Sequence, residues 1–225
     1  EPAVAIPRVA GVEIDGQADD WADAGTRVAL LLPPEGAVRP VKDLDARLRV
    51  AWDDRGLLLL LAVRDDTWVE HAQLRRLWKG DSVCLFCAPR RGATSMLQYM
   101  IAPGVSAEQP ALRWHVYDTG RAVPPQKPVD LVARRTKTEA GYTMEVLVGW
   151  AAFGVRRPRL GQEVGFQIAV NDGDSAAVND QTGEGRLFAP YSVLWYPRGG
   201  AWQRPDRVHA LRLAEEACAP IEGGV

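Results

Sequence analysis

The sequence predicts an all-β protein, an antiparallel β-sandwich with little helix. Three observations carry this. Short runs of alternating or continuous apolar residues recur along the whole chain, each bounded by Gly, Pro or Asp. A single stretch, 67–78, reads better as helical or irregular than as strand. At 225 residues and 47% hydrophobic content, the chain has enough apolar material for one sandwich core and suits a single all-β domain. No segment reads as a linker or an internal repeat. One domain over 1–225 is therefore expected, with its core at about 12–213 and a loose tail at 214–225.

The elements follow in order. "GVEIDG" (11–16) reads as a short strand entering a turn, and Trp21 in "ADDWADA" is an early core anchor. "RLRVAWDDRGLLLLLAVRDD" (47–66) is two strands around Asp53-Asp54-Arg55-Gly56, residue types that suit a hairpin turn. Its second strand is apolar on both faces, which places it centrally in a sheet. Strands are expected at 81–88, 96–102 and 112–117, then a Pro-rich exposed loop at 119–128. "VDLVARRTKTEAGYTMEVLVGW" (129–150) is a second hairpin turned at Glu139-Ala140-Gly141, and "AAFG" gives one helical turn. "EVGFQIAVNDGD" (163–174) is a strand ending in acids, 175–190 is a long loop, and "YSVLWY" and "RVHALRL" (207–213) are the last strands.

Charge and motifs exclude several functions. Net charge is −2, from 27 basic and 29 acidic residues, so overall charge gives no reason to expect nucleic acid or an anionic membrane as partner. No run of 18 apolar residues occurs, so no membrane span is expected. There is no nucleophile motif, no glycine-rich phosphate loop and no Cys/His zinc spacing, and catalysis is not expected. The chain starts at Glu1 as an exported protein does after processing, so a secreted or periplasmic location is expected. Cys84 and Cys87 lie three apart on one strand, with Cα atoms roughly 10 Å apart and on opposite faces. They are packing cysteines rather than a redox pair; a bridge from Cys218 to either is left open.

Eight tryptophans supply the candidate site. Trp21, Trp52 and Trp150 sit beside strand patterns and read as core. Trp78 in "RRLWKGD" and Trp202 in "PRGGAWQRPD" sit in polar loops, where a flat indole suits stacking on the apolar face of a sugar ring. "VRDD" and "VNDGD" gather Asp65, Asp66, Asp172 and Asp174 at strand ends, hard oxygen ligands of the type Ca²⁺ takes. Met96, Gln98 and Met100 share one face of their strand, which reads as core; a thioether there is also a conceivable haem ligand.

With these segments in place, the chain resembles a family 9 carbohydrate-binding module, within the wider immunoglobulin-like/DOMON-like sandwich group. The matching stretches are "IDGQADDWADA", "VAWDDRGLLLLLAVRDDT", "LWKGDSVCLFC", "GYTMEVLVGWAAFG", "GQEVGFQIAVNDGD" and "VLWYPRGGAWQRPDRVHALRL", in the family's order. The resemblance implies a non-catalytic sandwich that holds a saccharide or polysaccharide, often a glycan end, between two tryptophans. It also implies structural Ca²⁺ and association with a glycan-degrading enzyme. By position Trp78 and Trp202 resemble the two clamp residues. Cys84 stands where the family usually has an acid, and Gln98 and Arg113 are the replacement polar contacts. Related sandwiches hold b-type haem, which makes a haem or redox protein with ligands among Met96, Met100 and Met144 one alternative. A sandwich interaction domain that has lost sugar binding is the other.

Overall fold

The computed structural model describes residues 2–33, 36–118, 131–173 and 191–215. Two sheets face each other. The first has seven strands in the order β1 (Val4–Pro7), β12 (His209–Ala214), β10 (Glu163–Asp172), β5 (Ser82–Ala88), β6 (Leu97–Ala102), β7 (Arg113–Asp118), with β11 (Tyr191–Leu194) also paired to β10. The second has five, β2 (Thr26–Ala29), β3 (Leu44–Trp52), β4 (Gly56–Asp65), β9 (Gly141–Gly149) and β8 (Leu131–Thr138). The sandwich expectation holds. All pairs between these strands are antiparallel except β1 with β12, which run parallel from Val4 opposite Leu211 to Pro7 opposite Ala214.

The core between the sheets follows from period-2 alternation. Leu57, Leu59, Leu61 and Val63 of β4 meet Val83, Leu85 and Cys87 of β5 and Phe166, Ile168 and Val170 of β10 in one buried cluster. Trp52 and Trp150 join it edge to face, with ring centroids 6.2 Å apart. The turn between β8 and β9 needs Gly141, because a Cβ there would lie 1.9 Å from the Val63 carbonyl oxygen.

β4 is central in its sheet, as its continuous apolar run predicts, and it is covered on its outer side too. Leu58 and Leu60 pack with Val12, Trp21 and Ala51 in a separate buried cluster. The covering segment includes 11–16, which is not a strand. The reason lies in its hydrogen bonds. The Asp15 and Gly16 N–H groups donate to Glu145 Oε2 at 2.8 and 2.7 Å, and the Trp21 indole donates to Glu145 Oε1 at 2.7 Å. A buried carboxylate on the outer side of β9 thus takes the place of a neighbouring strand as acceptor. β1 and β2, which periodicity did not reveal, are strands of four residues each. The helical content of 67–78 reduces to a 3₁₀ segment, Leu74–Lys79, and "AAFG" to another, Trp150–Phe153. The loops expected at 119–128 and 175–190, and the tail beyond 215, lie outside the described residues.

Candidate functional site

The outer side of the seven-stranded sheet carries its own apolar cluster. Cys84, Phe86 and Ala88 of β5, Met100 and Ala102 of β6, and Met96 just before β6 form a buried floor. The methionine side of β6 is thus buried, as expected, but in this outer cluster; the central core takes Tyr99 and Ile101 from the opposite side. Register places Met100 opposite both Cys84 and His115. Leu77, Ala201 and Val208 cover the floor, and Trp78, Ala93 and Tyr117 pack at its margin.

The Trp78 segment is pinned at several points. Asp81, just after it, accepts the Val69 N–H on Oδ2 (2.6 Å) and the Gly173 N–H on Oδ1 (2.7 Å). Its own N–H donates to the Val69 carbonyl at 2.8 Å. That approach needs Gly80, where a Cβ would lie 2.4 Å from the same carbonyl oxygen. Burial, and then the neighbouring charge of Asp65, push the Asp81 carboxyl up to about 8. Glu70 is buried and accepts the N–H groups of Gly104, Val105 and Ser106 at 3.2, 2.6 and 3.2 Å. Arg113 pairs with Glu70 at 3.3 Å and donates to the carbonyls of His71 and Ala72 at 3.1 and 3.0 Å. Tyr117 Oη donates to the Arg75 carbonyl at 2.7 Å. Three backbone amides on one carboxylate, backed by a guanidinium, make a rigid mount.

The Trp202 side has a mount too. Gln167, on the outer side of β10, donates to the Trp195 carbonyl at 3.0 Å and to that of Arg198. The His209 ring stacks on Trp195 at 4.7 Å. The loop then leads to Ala201, which is buried in the outer cluster, and Trp202, which is 57% exposed. The Gly92 N–H bonds the Pro205 carbonyl at 3.0 Å, joining the 89–93 loop to this side.

The structure therefore gathers Trp78, Cys84, Gln98 and Arg113 on one side of one sheet, with Trp202 beside the same cluster. Trp78 is half-buried, with the Lys79 ammonium 5.6 Å from its ring. Alternation correctly turns Cys87 to the core and Cys84 to this side, but Cys84 is buried at 4% exposure. Its thiol is pushed up to about 12 by burial, and Gln98 Nε2 lies 3.0 Å from its sulfur and 3.5 Å from that of Met100. Arg113 is engaged with the Glu70 carboxylate and the 71–72 carbonyls and acts on the Trp78 segment through them. Glu70, Asp81, Tyr117 and Gln167 escaped the sequence reading. The signal for Tyr117 was available, since it alternates with Arg113 and His115 along β7.

Of the acids expected to hold Ca²⁺, Asp65 and Asp172 both lie close enough to Asp81 to act on its charge. Asp172 is buried and ion-paired with Arg39 at 2.9 Å. Asp65 Oδ1 accepts the Thr67 N–H and Asp66 meets the Thr67 hydroxyl. Asp174 lies outside the described residues. Among the described residues no group of three or more His, Cys, Asp or Glu is placed to hold a metal ion. Met144 lies in the central core, whereas Met96 and Met100 lie in the outer cluster, so the three do not share one slot. Cys84 and Cys87 are free thiols, and Cys218 lies outside the described residues. No described helix is long and apolar enough to cross a membrane.

A two-sheet sandwich with an aromatic-edged apolar cluster on the outer side of one sheet defines a β-sandwich module. The family model for carbohydrate family 9 binding domain-like proteins matches residues 14–186, and the chain belongs to that family. Solved structures are similar over nearly the whole chain. One is a family 9 carbohydrate-binding module from Caldicellulosiruptor kristjanssonii in complex with cellotriose (17% identity, 97% of this chain and 98% of that one, TM-score 0.66). Another, from the same organism, is in complex with glucose (18% identity, 98% and 99%, TM-score 0.65). A protein from Bacteroides uniformis shares the fold at 14% identity (93% and 98%, TM-score 0.63). Comparison with curated proteins gives no match.

Proposed function

We propose that the chain is a non-catalytic carbohydrate-binding module that holds a saccharide on the outer side of the seven-stranded sheet. Trp78 and Trp202 supply the stacking surfaces. The observation that carries this is the pairing of a 57%-exposed Trp202 beside buried Ala201 with a braced Trp78 at the margin of the same apolar cluster. An indole held on a rigid backbone loses little entropy on stacking. The similar modules in complex with cellotriose and glucose support a saccharide as the ligand class. The proposed setting is outside the cytoplasm, linked to or associated with a glycan-degrading enzyme.

Isothermal titration against a broad oligosaccharide panel tests the reading. Trp202→Ala should weaken binding about tenfold, the effect of losing one well-placed aromatic contact of about 1.4 kcal/mol. Its melting temperature should stay within about 1 °C, because exposed side chains contribute little to stability. Full affinity in both Trp202→Ala and Trp78→Ala would remove the tryptophans from the site.

A further inference from the structure

We infer that the saccharide is anionic, an oligosaccharide carrying uronate carboxylates; this rests on the carbohydrate-binding reading above. The first observation is charge. The chain as a whole is slightly acidic, at −2. Yet Arg75, Arg76 and Lys79 lie along the Trp78 segment, and Arg90 and Arg207 lie in the two loops joined across the cluster by the Gly92–Pro205 hydrogen bond. Arg75, Arg76, Arg90 and Arg207 are exposed, and Lys79 is half-buried against Trp78. The acids described along this margin are already taken. Glu70 is buried on Arg113, and Asp206 pairs with Arg204 at 2.9 and 2.8 Å. The titration of the local imidazoles senses the same field. His71 and His115 are lowered by burial first, and then by Lys79 and Arg76 for His71 and by Arg75 for His115.

The second observation is the hydrogen-bond inventory. A neutral sugar presents hydroxyls that need acceptors as well as donors. Here the floor is buried beneath Leu77, Ala201 and Val208, so the groups that meet a ligand are those of the margin. Tyr117 spends its hydroxyl proton on the Arg75 carbonyl. What the margin has in quantity is charged donors: the guanidiniums of Arg75, Arg76, Arg90 and Arg207 and the Lys79 ammonium. A ligand that brings its own strong acceptors fits this set, and a carboxylate on a pyranose does so while leaving the ring's apolar face for the indoles.

The test is calorimetric titration of galacturonate, mannuronate and glucuronate oligomers, each beside its carboxyl-reduced neutral counterpart, with a sulfated oligosaccharide as a third arm. At least one uronate oligomer should bind about tenfold more tightly than its reduced form in about 20 mM salt, and the advantage should shrink in about 300 mM salt as the charges are screened. The Arg75→Gln/Arg76→Gln protein, altered only at exposed positions, should lose the preference and keep its affinity for the neutral form. Neutral oligosaccharides binding equally well, with no salt dependence, would overturn the inference and leave the sugar-binding reading standing. Binding of the sulfated arm with none of the uronates would overturn the assignment to carboxylate. If no saccharide of any kind binds, the carbohydrate-binding reading itself fails and takes this one with it.

Discussion

Replacing Glu145 with Gln is expected to cost about 3 kcal/mol of stability, although it changes a single atom. The carboxylate accepts on both oxygens: the Trp21 indole on Oε1, and the Asp15 and Gly16 amides on Oε2. An amide accepts on one oxygen only. In its better orientation Gln keeps the two backbone bonds and turns its NH₂ toward the indole N–H, in a place where Trp21 is 0% exposed. One buried donor is then orphaned, at about 1–3 kcal/mol, and two N–H groups are pressed together. For a chain of this size about 3 kcal/mol lowers the melting temperature by roughly 6–12 °C. Urea unfolding followed by tryptophan fluorescence gives the free energy directly. Trp21→Phe removes the indole donor, so adding it to Glu145→Gln should cost less than the two single changes summed, by about 1–2 kcal/mol. A Glu145→Gln protein within about 0.5 kcal/mol of the parent would refute the reasoning, since surface substitutions behave that way.

Other outcomes follow from the same kind of accounting. Arg39→Ala removes the guanidinium that pairs with the buried Asp172 carboxylate and should cost about 3 kcal/mol in urea unfolding; a cost under about 1 kcal/mol would show the pair to be dispensable. Asp81 titrates near 3.8 when unfolded and at about 8 when folded, so the folded chain holds an extra proton between those values. Stability from this group is full below pH 4 and declines through pH 8; Asp81→Asn should flatten that slope, and an unchanged slope would assign it to other groups. Cys84, pushed up to about 12, and Cys87, pushed well above its ordinary value, both by burial, should resist a thiol reagent at pH 8 in the folded protein and react on unfolding. Rapid labelling of either in the native state would show the cluster to be open.

The sandwich was legible because its strands obey simple periods. The continuous run in β4 announced a strand buried on both sides, and both coverings exist. The alternation Val83, Cys84, Leu85, Phe86, Cys87 correctly put the two cysteines on opposite sides. What alternation lacked was any account of long-range acceptors. The segment 11–16 looks like a strand locally, and only Glu145, some 130 residues away, makes it a cover instead. The same limit hid Glu70 and Asp81. Each is one acid among 29, and what singles it out is three or two backbone amides supplied by loops distant in sequence. The two tryptophans stand out in the sequence because their loops are polar, whereas the contacts that brace those loops do not, because their parts are scattered.

The parallel pairing of β1 with β12 has a mechanical consequence. The chain enters β1 where Val4 faces Leu211 and leaves β12 where Ala214 faces Pro7. These are opposite ends of one ladder. A pull on the two outer segments therefore runs along the strands and strains every rung at once, including the bond from the Arg8 N–H to the Ala214 carbonyl. A hairpin pulled at its open end unzips rung by rung, but this ladder must shear as a block. Tension applied between the segment before Val4 and the segment after Ala214 thus meets the fold in its most resistant direction.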